Sequence, residues 1–314
     1  MDLIERPIFL VGAERSGTTL LRLMLDHHPK IAFNLESDYL VSQLSDDGAY
    51  PDMERYREWL KYDRVFQHSR FVIDERFDFV RLVNDFLNQK RLREGKEMVG
   101  ATVHHRFGNL NLVWPRAKYI YLFRDGRDVA DSVRCKGWAG NVYVAADRWL
   151  EAETEWDGLR HRLSADDWIE VRYEELINDT KPQLVRICAF LRVPYSERMF
   201  DYVRTSNYGA PDVRFCYRWK SAMRKVDVQR IEEKLGDRLL RRGYGLSHYP
   251  RISLPALTRR FLQVHSRVNS FRFRLRKYGA ILTLQEIVTR RWGLAHMHRD
   301  ATRRIASIDD ARLM

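Results

Sequence analysis

Cysteine is scarce in this chain of 314 residues, with three in all, at Cys135, Cys188 and Cys216. They lie far apart and form no C-x-x-C pair, which excludes a disulfide framework and a thiolate zinc site. A reducing cytoplasm is the simplest setting for such a chain. No uncharged apolar run reaches about 18 residues, so an ordinary membrane-crossing helix is not expected. The opening "MDLIERPIFLVG" lacks a basic start, a long apolar stretch and a small-residue cleavage site, and does not read as a secretion signal. The acidic pairs Asp46–Asp47 and Asp166–Asp167 lack a metal-ligand pattern and read as turn residues. Acid is depleted in one region only. From Arg251 to Met314 there are 14 Arg and Lys against 4 Asp and Glu, so this tail carries +10 of the total +12. The basic excess is local, and a global nucleic-acid-binding surface is not indicated.

What is present is ordinary for a globular protein, with 45% hydrophobic and 31% charged residues. "PIFLVG", residues 7–12, reads as a short buried parallel strand ended by Gly12. Residues 16–28 read as a helix with an apolar stripe of Leu20, Leu21, Met24 and Leu25, stopped by Pro29. A second strand, turn and helix follow in "KYIYLFRDGRDVADSVRC", residues 118–135, and a third in "WIEVRYEEL", residues 168–176. Repeated strand-then-helix units predict an α/β fold with a mostly parallel sheet. Residues 50–95 read as a helical insertion able to form part of a substrate pocket.

"GAERSGTT", Gly12 to Thr19, has the frame of a phosphate-binding P-loop but lacks its lysine. Thr18 stands in that place, and Arg15 appears inside the loop. Backbone N–H groups at a helix N-terminus bind anions unaided, glycines let the backbone approach, and hydroxyls add donors. Without the lysine that reaches a triphosphate's outer phosphates, the loop suits a smaller anion.

"GAERSGTTLLRLMLDHHP" resembles the 5′-phosphosulfate loop of sulfotransferases that use 3′-phosphoadenosine 5′-phosphosulfate (PAPS), in the tyrosylprotein and bacterial carbohydrate-type branch. "FRDGRDVADS" resembles that family's 3′-phosphate motif, "VRYEEL" its Y-E-x-L segment, and "YRWKSAM" with "RRGYG" its C-terminal segment. The four likenesses run in order across residues 7–245. The resemblance implies a three-layer, P-loop-like fold with a parallel central sheet, no metal requirement, and adenosine 3′,5′-bisphosphate as product. It places Arg15, Ser16, Gly17, Thr18, Thr19 and Leu20 at the 5′ end of the cofactor, Arg124 and Ser132 at the 3′-phosphate, Tyr173 near the adenine, and Arg218 on the cofactor. Glu36 in "FNLESDYL" is the implied base, with His104 or His105 in "GATVHHRF" competing. Many relatives carry a lysine in that segment to bridge the leaving oxygen; here there is none, and Arg106 or a histidine is left to replace it.

The expected function is sulfuryl transfer to a hydroxyl, or less readily an amine, of a carbohydrate, glycolipid or small metabolite. Two alternatives stand beside it: a Mg²⁺-dependent P-loop phosphotransferase with Asp125 on the metal, and a catalytically degenerate binding protein. The expected organisation is a sulfotransferase domain over 1–250 and a basic helical extension over 251–314. In the extension, Leu257, Phe261, Val264, Val268, Phe271 and Leu275 recur at helical spacing among arginines, and a second helical stretch covers roughly 281–306. That stripe can dock on the domain, lie on an anionic membrane surface, or pair with another copy; a peripheral place at the inner membrane surface is the corresponding localisation.

Overall fold

The structure is a computed structural model and describes residues 3–45, 47–292 and 295–310. By its contacts the chain divides into two compact units, one of residues 1–124 and 148–217, the other of 125–147 and 218–314.

The first unit is built on five parallel strands, β1 (Ile8–Val11), β2 (Ile31–Glu36), β3 (Met98–Val103), β4 (Lys118–Phe123) and β5 (Trp168–Arg172), in the order β2-β3-β1-β4-β5. Alternate side chains serve opposite faces, as strand geometry requires. Ile8, Leu10, Ile120 and Leu122 join Leu21, Met24 and Leu25 of helix α1 (Thr18–Asp26) in one core. The other face packs Phe9 on Trp114 and Tyr119, and Tyr121 flat on Trp156 at 4.5 Å. Sheet between two helical layers is the architecture that strand-helix repetition predicts. The insertion is helical too: α2 (Met53–Leu60), α3 (Arg64–Ser69) and α4 (Phe79–Glu94) each begin on an aspartate side chain accepting a backbone N–H.

Two strands were not anticipated. β2 follows α1 almost at once and holds a buried polar residue, Asn34, which spends its amide on Ser37 and Tyr39. β3 carries Gly100 at its centre, a residue that reads as a breaker. Pairing overrides these local signals: β3 is flanked by β1 and β2, and the edge strand β2 pairs along β3. The first helix starts at Thr18 rather than Ser16. "RDGR" is also less of a turn than expected, because the helix Gly126–Cys135 begins within it, capped by Asp125 accepting from the Arg127 N–H at 2.9 Å. Asp46 lies outside the described residues; Asp47 accepts the Ala49 N–H, and Asp166 and Asp167 close a 3₁₀ turn.

In the second unit the helix Ala256–Tyr278 docks with a face the apolar periodicity did not single out. Leu262 and Ser266 are buried, Ser266 Oγ accepts from Gly140 N–H at 2.9 Å, and Asn141 donates to Leu262 O at 2.7 Å. Of the expected stripe from Leu257 to Leu275, the residues Leu257 to Phe271 point to solvent, Leu257 being 78% exposed, and Leu275 is half-buried. The backbones approach closely here, since a Cβ added to Gly140 would stand 2.1 Å from Ser266 O, so the contact requires a small residue at position 140. The stretch 281–306 forms two helices, Ala280–Arg291 and Ala295–Asp310; Gly293 and Leu294 between them lie outside the described residues.

Candidate active site

In a parallel sheet of this order, chain leaving β1 turns toward β3 and β2, and chain leaving β4 turns toward β5. Ligands bind outside the carboxyl ends of strands at such a divergence. Gly12 follows β1 and Arg124 follows β4. Gly12 has φ +147°, and a Cβ there would lie 2.2 Å from Leu122 O, so only glycine lets the loop leave β1 beside β4.

The loop then enters α1 through Gly17 (φ +96°), with no side chain capping the helix. Among the described residues the backbone N–H groups of Gly17, Thr18 and Thr19 have no hydrogen-bond partner, and neither has the buried hydroxyl of Ser16. A helix start with three open amides and an orphaned buried hydroxyl is an anion site. These groups fit the 5′ end of PAPS, and they come from the stretch the sequence singled out. Leu20 is the exception: its side chain lies in the core and its N–H donates to Gly17 O at 3.1 Å, so it serves the helix.

Arg15 adopts a left-handed backbone (φ +70°), a conformation costing about 1–2 kcal/mol outside glycine. Arg124 braces it. One of its amino groups donates to Arg15 O at 3.1 Å, the other to Phe215 O, and its guanidinium lies 4.5 Å from the Tyr173 ring. Tyr173 is itself buried and roofs the loop, since a Cβ on Gly17 would meet its ring at 2.4 Å. Both residues were expected at the far end of the nucleotide; in the fold both lie against the loop, Arg124 at Arg15 O and Tyr173 over Gly17. Arg124→Ala should therefore weaken adenosine 3′,5′-bisphosphate binding by at least ~1.5–3 kcal/mol, the worth of a charged hydrogen bond. Isothermal calorimetry checks this, and unchanged affinity would remove Arg124 from the site.

The candidate bases separate. Glu36 ends β2 just past a register shift between Asn34 and Glu36, a bulge of the kind that re-aims side chains at sites. Its carboxylate is 57% exposed and lies 3.8 Å from His104 Nε2. Arg22 of α1, whose burial pulls its pKa down, feels the opposing charges of Asp26 and then Glu36. His104 is buried. Its Nδ1 lies 2.8 Å from Gly12 O and so carries the proton, leaving Nε2 3.5 Å from Thr18 Oγ1. Thr18, His104 and Glu36 are thus brought together. His104 is the residue of "GATVHH" that reaches the loop.

His105 is engaged elsewhere. Its Nε2 lies 3.1 Å from Arg148 and 3.5 Å from Glu14, while Arg148 pairs with Glu14 at 3.0 Å. The hydrogen bond with Glu14 raises its pKa above the ordinary 6.5 despite burial. Burial pushes Glu14 upward, but the His105 hydrogen bond and the Arg148 charge outweigh it and leave its pKa low. A raised histidine pKa stabilises the fold fully below the unfolded value, and that contribution fades as pH climbs through the folded one. His105→Gln should accordingly lower the melting temperature more at pH 6 than at pH 8; an equal drop at both would contradict the pairing.

Sequence reading missed Glu14, Arg148 and Asp38. Asp38 accepts the N–H groups of both His104 (2.7 Å) and His105 (3.0 Å) and sets the turn after β3. Only the charge and hydrogen-bonding capacity of these residues could have flagged them.

Ser132 and Arg218 belong to the second unit. Ser132 is half-buried on the helix Gly126–Cys135, and the exposed Arg218 precedes the short helix Trp219–Ala222. Arg127 stacks on Trp219, at 3.7 Å. Asp125 is fully buried, bonded by Arg127 at 2.9 and 2.7 Å and by Trp219 Nε1 at 3.0 Å. A carboxylate spent in this way is not offered to Mg²⁺, which removes the main support for the phosphotransferase alternative.

Residues 7–197 match the model of the Sulfotransferase family, and the chain belongs to that family. Protein-tyrosine sulfotransferase A of Caenorhabditis elegans is 23% identical over 62% of this chain and 52% of its own length. Protein-tyrosine sulfotransferase 1 of Danio rerio is 24% identical over 62% and 55%. The chain thus spans about half the length of these curated relatives. Among solved structures, the sulfotransferase domain of the Synechococcus PCC 7002 olefin synthase superposes with a TM-score of 0.57 at 21% identity, covering 77% of this chain and 97% of that one. The sulfotransferase domain from the curacin biosynthetic pathway gives 0.56 at 20%, covering 78% and 100%. The fold is the one these domains share.

Proposed function

We propose that the protein transfers a sulfuryl group from PAPS to an acceptor hydroxyl. One observation carries this reading: an anion cradle of open amides and an orphaned hydroxyl meets, through Thr18, a histidine–carboxylate couple. The cradle holds the 5′ phosphate with Ser16 Oγ, the N–H groups of Gly17, Thr18 and Thr19, and Arg15. When bound, PAPS supplies the activated sulfuryl group and a phosphate leaving group. The protein's task is then positioning and charge stabilisation. Glu36 takes the acceptor's proton, its exposure leaving it open to an incoming substrate. His104, fixed by Gly12 O, presents Nε2 to the cradle and, when protonated, donates where charge develops on the leaving oxygen.

Ser132, Arg218 and the adenine contact of Tyr173 remain part of this proposal, as do the absence of a metal requirement and the cytoplasmic setting. For the acceptor, the resemblance to the bacterial branch supports a carbohydrate, glycolipid or small metabolite. The names of the curated relatives favour a second reading, a tyrosine phenol of a protein. A screen with labelled PAPS against sugars, glycolipids, an amine and a tyrosine peptide separates these. Transfer to none of them, by a protein that still binds adenosine 3′,5′-bisphosphate, would favour the degenerate binding protein instead.

A further inference from the structure

The exposed row on the helix Ala256–Tyr278 has no counterpart in the proposed chemistry. Leu257, Phe261, Val264, Val268 and Phe271 stand in solvent at spacings of four and three, on one side of the helix. At about 100° per residue, Arg260 and Arg267 fall along one flank of the row, and Arg272 and Arg276 along the other. All four are exposed. The helix contains no aspartate or glutamate.

The next helix, Ala280–Arg291, is turned the same way. It buries Thr283, Glu286 and Thr289, and leaves Ile281 (85% exposed), Leu284 and Val288 in solvent, with Trp292 just beyond its end. Glu286 is held by Arg274 at 2.6 Å. A helix that buries its polar side and exposes its apolar one loses hydrophobic stabilisation in water, so its outer face is suited to an apolar medium.

We infer that these two helices form a docking surface for a membrane carrying anionic lipid headgroups, with the apolar rows entering the acyl boundary and the flanking arginines on the headgroups. Apolar side chains bordered by arginines match an interfacial helix, and an aromatic residue such as Trp292 suits the same depth. Among the described residues no helix is long and apolar enough to cross a membrane, so the contact lies in the interface plane. A second copy is the weaker occupant. Two rows bordered by arginine and free of acid would bring like charges together, whereas an anionic surface complements them.

The test is sedimentation of the full chain with unilamellar vesicles of phosphatidylcholine, with and without phosphatidylglycerol, at ~0.1 M salt, a Debye length of about 10 Å. Binding is expected to the phosphatidylglycerol vesicles and to fall at ~1 M salt. Val264→Asp with Val268→Asp should weaken it at least ~10-fold by placing charge in the buried row. Arg260→Gln with Arg267→Gln should weaken it by about fivefold per arginine. All four positions face solvent, so the thermal melts of both variants should match the parent's. Absence of binding to phosphatidylglycerol vesicles, or binding indifferent to both variants, overturns the inference. So does a dimer, seen by sedimentation velocity without vesicles and lost in the Val264/Val268 variant, which would give the row to a second copy.

Discussion

Glu36→Gln should slow sulfuryl transfer by ~10²–10⁴ while leaving the affinity for adenosine 3′,5′-bisphosphate unchanged. Glutamine keeps the shape of the side chain at the end of β2 and cannot take a proton. The link of Glu36 to the cradle runs through His104, 3.8 Å away, and from there to Thr18. Cofactor binding therefore has little to lose, and the chemistry has a base to lose. His104→Asn is the contrasting variant. His104 touches the loop through Gly12 O and Thr18, so its loss should reduce both bisphosphate affinity and turnover. If turnover in Glu36→Gln stayed near the parent's while His104→Asn abolished it at unchanged affinity, the base would be the histidine.

Gly17→Ala should remove detectable bisphosphate binding. Gly17 lies at φ +96°, where an L side chain is strained by about 1–2 kcal/mol. Its Cβ would stand 2.4 Å from the ring of Tyr173, a distance that contacts between real atoms do not reach. Tyr173 is buried, with Arg124 against its face, and has little room to retreat. The loop would move instead, scattering the amides of Gly17, Thr18 and Thr19. Adding Tyr173→Leu should relieve the contact but not the backbone strain, so binding should return in part. Calorimetry on both variants checks this, and parent-like affinity in Gly17→Ala would show that the cradle does not depend on this backbone.

The cradle was legible because its chemistry is local: eight consecutive residues between an apolar strand and an amphipathic helix declare themselves by type and spacing. β1 and β4 were legible for the same reason, as largely apolar runs with clean ends, and β5 as a short alternation of apolar and charged residues running into a helix. β2 and β3 were not, because what makes them strands is pairing with neighbours distant in sequence. Their lack of local signal also hid the placement of Glu36 and His104 at adjacent strand ends. The double service of Arg124 and Tyr173, and the acceptance of two N–H groups by Asp38, follow from distances of a few ångströms across the fold. On the helix Ala256–Tyr278 the periodicity located the apolar row but left open what it faces, and the row stands in solvent. A small-residue contact of Ser266 with Gly140 docks the opposite face, and hydrophobic spacing is blind to such contacts.

Calorimetric titration with adenosine 3′,5′-bisphosphate in EDTA tests the whole reading most directly. Saturable binding at one site per chain, without metal and in preference to ATP, is expected. No binding under these conditions, or tight binding of ATP that requires Mg²⁺, would contradict it.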